Sequence, residues 1–111
     1  MSIAIDGGEA EGASPASPPA RRAARLRVTG RVQGVGYRDW LVGQAVALGL
    51  AGWVRNRPDG SVEAHAEGPA TALDQLADRC RRGPYLARVD AVQVSDLPPE
   101  GQAGFTRRPT G

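Results

Sequence analysis

The sequence predicts an α/β sandwich, an antiparallel sheet with two helices on one face, in the order β-α-β-β-α-β. Three observations carry this expectation. An alternating run from Arg25 to Arg31 is followed closely by a run with helical spacing. Two further strand-like runs flank a Pro58-Asp59-Gly60 turn. A second helical stripe then precedes another strand-like segment over 87–97.

The first 22 residues, which open MSIAIDGGEAEGASPASPPA, are rich in Gly, Ala, Ser and Pro. They carry too little apolar surface to offset the entropy of ordering. They are expected to form a disordered leader ahead of one domain over 23–111. In the first strand, Leu26 and Val28 share one face while Arg25, Arg27 and Thr29 share the other. Residues 38–48 predict a helix, with Leu41, Ala45 and Leu48 in one stripe, Val42 and Val46 widening it, and Gly49 ending it.

Residues 50–68, LAGWVRNRPDGSVEAHAEG, read as a hairpin. Trp53 and Val54 lie in its first arm, and Val62, Ala64 and Ala66 line one face of its second. His65 falls on the opposite face between Glu63 and Glu67, where it is expected to be a solvated strand residue. Pro69 opens a second helix at its first turn. Leu73, Leu76, Ala77 and Cys80 form its apolar stripe, and RRGP ends it. Within 87–97, Val89 and Val92 break strict alternation and predict a bulge. A loop and a short closing strand, FTRR, complete the chain. Two helices on one face of such a sheet make the arrangement ferredoxin-like.

The 111 residues suit one compact domain and a tail. All fourteen basic residues are arginine, and twelve acids leave a net charge of +2. Three acids precede the first arginine, so residues 21–111 carry +5. That mild excess suits a small anionic ligand. Nucleic acid is the less favoured partner, because the closing strands carry only Phe105 where an RNA-binding sheet would stack paired aromatics. Trp40 and Trp53 are expected to cover the helix and the sheet face instead. One cysteine, Cys80, allows no internal disulfide, which favours a reducing cytoplasm. No run is long and apolar enough for a bilayer, so no membrane partner is expected. Cys80 sits in an apolar stripe and is expected to be buried and inert rather than a nucleophile.

The stretch GRVQGVGYR, residues 30–38, joins the first strand to the first helix. Glycines at 30, 34 and 36 permit a backbone curl that points several amides at one spot. The helix that follows adds free N–H groups and a favourable dipole for an anion. Arg38 stands at its mouth with a guanidinium able to pair two phosphate oxygens. The stretch lacks the Gly-Lys-Ser/Thr ending of a P-loop and the G-x-G-x-x-G dinucleotide pattern, so no nucleotide cofactor and no metal is expected.

VTGRVQGVGYR, followed by LGLAGWVRNRPDGSVEAHAEG and later by RGPYLARVDAVQV and GF, resembles the acylphosphatase family over residues 24–108. The resemblance implies a ferredoxin-like fold. It also implies metal-independent hydrolysis of a small acyl phosphate to a carboxylate and inorganic phosphate. Carried over by position, it assigns catalysis to Arg38 and Asn56, and phosphate binding to the backbone of Gln33, Gly34, Val35, Gly36, Tyr37 and Arg38. Tyr37 stands where the family commonly has phenylalanine. A small monomer is expected. The alternative reading is a noncatalytic RNA- or phosphate-binding module of the same fold.

Overall fold

The computed structural model describes residues 21–111, so the leader expected over 1–22 lies, save for Arg21 and Arg22, outside the described residues. The strands are β1 (Arg22–Arg31), β2 (Ala51–Asn56), β3 (Val62–Gly68), β4 (Arg88–Leu97) and β5 (Phe105–Arg107); the helices are α1 (Tyr37–Ala47) and α2 (Ala70–Arg82). The sheet order is β4-β1-β3-β2-β5. α1 packs over β2 and β5, and α2 over β1 and β4. The fold is the ferredoxin-like sandwich.

Alternation builds the core. Leu26, Val28, Val54, Val62 and Ala64 face the helices and are almost completely buried, meeting Leu41 of α1 and Leu76 of α2. Each such leucine or valine side chain contributes about 2 kcal/mol when fully withdrawn from water. The stripe Leu73, Leu76, Ala77 and Cys80 is the buried face of α2. Arg79, Arg81 and Arg82 in its last turn complement the helix dipole. Gly83, at φ 68°, ends it.

Two details depart from a plain antiparallel sheet. The closing strand β5 runs parallel to β2, with Gly52 opposite Phe105. It follows the 98–104 connection that crosses from the β4 edge to the β2 edge, and the crossing sets its direction. The predicted bulge is present: Thr29 pairs with Ala91 and Gly30 with Val89, so Asp90 is the extra residue. Gly30, at φ 123°, meets this bulge, and a Cβ there would collide with the carbonyl of Arg88.

The second sheet face corrects one expectation. His65 is not solvated: it is 4% exposed, with Glu63 at 6% and Glu67 at 0%. β3 is the middle strand, and long side chains from both neighbours close over it. Arg25 and Arg55 bond the two oxygens of Glu63 at 2.7 and 2.8 Å. The His65 ring stacks on Trp53 with centroids 5.9 Å apart, and the Trp53 face is in turn covered by Arg108 at 4.5 Å. His65 Nε2 bonds Glu67 Oε2 at 2.9 Å. Glu67 also accepts the backbone amides of Glu100, Gly101 and Gln102 at 2.7, 3.0 and 3.1 Å.

Burial opposes ionisation of Glu67, but the bonds from His65 and the three amides outweigh it and hold the carboxyl at about 2. The unfolded carboxyl titrates near its ordinary 4.5. Its contribution to stability is therefore complete above about 4.5 and is lost as pH falls toward about 2. Glu67→Gln is expected to lose about 2 kcal/mol at neutral pH, since a charged acceptor of several donors becomes neutral. Denaturant midpoints followed from neutral pH into acid should then fall less steeply for Glu67→Gln than for the parent. Parallel curves would mean that Glu67 does not supply this acid sensitivity.

Candidate active site

The connection from β1 to α1 reverses the chain within a few residues. Val32 is buried and anchors its start, and Val35 is half-buried against the core. Gly34 and Gly36 adopt φ 74° and 77°, the left-handed region. No neighbour would crowd a Cβ at either position. Glycine is favoured there by the dihedral and not by lack of space.

Gly36 is the N-cap of α1, and no side chain caps that end. Its carbonyl accepts the Trp40 amide at 3.1 Å. The first-turn amides of Tyr37, Arg38 and Asp39 have no partner within the helix. Tyr37 and Arg38 line a cavity of about 240 Å³ together with Gly34, Gly36 and Asn56. Asp39 and Arg107 also border it, joined to each other by an ion pair of 2.7 Å. Free amides, a helix N-terminus and an arginine around one cavity are the groups from which an anion site can be built.

Asn56 is the last residue of β2 and pairs with Val62, which places it on the helix-facing side of the sheet. Arg38 is half-buried, and its Nη1 donates to the carbonyl of Arg108 at 3.2 Å. A guanidinium carries five N–H donors, so most of its capacity is left for a ligand. Gln33 turns its side chain the other way, to the carbonyls of Arg57 and Ser61. The turn it reaches is stiffened by Asp59, whose carboxylate accepts the Ser61 hydroxyl and amide and pairs with Arg27. Those bonds hold the Asp59 carboxyl well below the usual carboxylate range.

Gly34, Gly36, Tyr37, Arg38 and Asn56 thus border one cavity, while Val35 packs inward and Gln33 spans to the hairpin. Only the backbone of Tyr37 can serve a ligand. Its ring is buried and its hydroxyl donates to the Cys80 carbonyl at 2.7 Å, which gives the extra oxygen a partner in the core. Cys80 is fully buried, and burial pushes its thiol up to about 11, which leaves no thiolate for nucleophilic attack. His65 lies on the opposite sheet face from Asn56. Among the described residues, His65, Glu67 and Glu100 bring metal-ligating atoms within 4.8 Å of one another, but both Glu67 oxygens are already engaged. Sequence reasoning missed the Asp39–Arg107 pair. The partners are 68 residues apart, and only the packing of β5 against α1 brings them together.

A sequence model of the acylphosphatase family matches residues 24–107. A protein named acylphosphatase from Rhizorhabdus wittichii is 54% identical over 97 residues, covering 87% of this chain and 98% of that one. Its namesake from Acidiphilium cryptum is 51% identical over 89 residues, covering 80% and 98%. The crystal structure of acylphosphatase from Bacillus subtilis matches with a TM-score of 0.77 at 39% identity, over 78% of this chain and 98% of that one. With a family match across nearly all described residues and relatives covered almost end to end, the chain belongs to the acylphosphatase family.

Proposed function

We propose that the cavity between the start of α1 and Asn56 hydrolyses acyl phosphates by direct attack of water on phosphorus, with no metal and no cofactor. The observation that carries this reading is that the uncapped N-terminus of α1 and Asn56 line one cavity. The amides after Gly34 and the Arg38 guanidinium hold the phosphoryl oxygens and stabilise their charge during transfer. Asn56 orients the water; its carboxamide oxygen accepts hydrogen bonds and its NH2 group donates two, but it is no strong base. None is needed. The leaving carboxylate departs with the electron pair of the broken P–O bond, and the water proton ends on inorganic phosphate or solvent. Catalysis is then mostly position and electrostatics.

The reading extends to setting. Among the described residues no helix is long and apolar enough to cross a membrane. A lone buried cysteine suits a reducing compartment, and we place the reaction in the cytoplasm, carried out by a monomer.

Benzoyl phosphate hydrolysis in the presence of a chelator tests the reaction, with a stable phosphate monoester as control. The expected result is turnover of the first and none of the second. Arg38→Ala is expected to lose about 3–4 kcal/mol of transition-state stabilisation, on the order of several hundredfold in rate, and to weaken inhibition by phosphate. Near-normal activity of folded Arg38→Ala would sink the assignment. Asn56→Ala is expected to lower kcat by about a hundredfold while leaving phosphate inhibition largely intact. The reverse pattern would remove Asn56 from the water and assign it to the phosphate. A folded chain that binds phosphate or RNA and hydrolyses nothing would favour a noncatalytic module.

A further inference from the structure

The loop over 32–36 and the turn over 57–61 belong to different elements, yet one side chain joins them. Gln33 Nε2 donates to Arg57 O at 2.8 Å and to Ser61 O at 2.9 Å. These carbonyls mark the two ends of the turn that begins directly after Asn56. Each already has a backbone donor: the Arg57 amide bonds Ser61 O at 2.8 Å, and the Gly60 amide bonds Arg57 O at 3.1 Å. A carbonyl oxygen accepts twice. Gln33 therefore rescues neither acceptor from an unsatisfied state; it fills their second lone pairs. What its two bonds add is a fixed spacing between two backbone segments.

We propose that Gln33 is a positioning residue, whose side chain sets the gap between the phosphate-binding loop and Asn56 and so aligns the attacking water with phosphorus. The proposal rests on the reading of Arg38 and Asn56 given above. The loop takes its shape from Gly34, Gly36 and the start of α1, none of which uses the Gln33 amide. Asn56 takes its place from the pairing of β2 with β3. Neither element alone fixes the distance between the two. A single NH2 group carries two N–H bonds from one nitrogen, which matches two carbonyls presented by one tight turn. In-line displacement punishes misalignment: a shift of about 1 Å can cost about a hundredfold in rate.

A double-mutant cycle with Asn56 tests this. Gln33→Met keeps the length of the side chain and removes both donors. It is expected to lower kcat on benzoyl phosphate by about tenfold or more, with phosphate inhibition kept within about threefold of the parent. In an Asn56→Ala background the same change is expected to cost little further, because the group it aligns is gone. A full additional loss in that background overturns the proposal, as does an equal loss of kcat and phosphate affinity. Undiminished kcat in Asn56→Ala alone overturns instead the water role beneath it, and is read from a different variant. Should Gln33→Met not fold, Gln33→Asn takes its place, with the amide kept but one methylene too short to reach both carbonyls. If neither folds, Gln33 belongs to the stability of the domain and the proposal fails.

Discussion

Burying both faces of β3 obliges every polar side chain on that strand to find a partner inside the protein. One face is a conventional apolar core, but the other carries Glu63, His65 and Glu67 where water hardly reaches. A buried carboxylate is tolerable only when its lone pairs are filled. The surrounding architecture meets that demand from three directions. β1 sends Arg25, β2 sends Arg55 and Trp53, and the long connection after β4 brings its amides down onto Glu67. That connection is the one that delivers β5 to the far edge of the sheet. The path of the chain across the sheet and the ionisation of Glu67 are thus parts of one arrangement.

The division between the two faces bears on where the proposed chemistry sits. The arginines over β3 are occupied in charge neutralisation. The candidate site lies at the end of the helix-facing side, where α1 starts and β2 stops. Its donors are held by backbone geometry: two left-handed glycines, an uncapped helix and a strand end. Rigid elements thus place the groups that the proposed reaction uses, and little reorganisation would be left for its transition state.

Spacing and alternation made the order of elements, the Gly-rich turn and the helix mouth at Arg38 readable in the sequence. The same alternation assigned His65 to its correct face and still gave the wrong exposure. Exposure depends on which strands flank β3, and on arginines whose stems lie across it. Asn56 has no local signature; only its place in WVRN within the family resemblance singled it out. The Gln33 side chain was hidden for a different reason. Its partners are main-chain carbonyls, which any residue supplies, so no residue pattern announces them. The parallel direction of β5 follows from a crossing loop and cannot be read from three residues.

The preference for guanidinium over ammonium has a chemical consequence beyond geometry. All fourteen basic side chains are arginines. A mixed anhydride of a carboxylic and a phosphoric acid is an acylating agent, and an unprotonated lysine amine is the side chain it would modify. Arginine stays protonated far above neutral pH and is a poor nucleophile. In the proposed reaction Arg38 would therefore hold a reactive anhydride by its charge without being consumed by it, and no basic side chain in the chain offers it an amine.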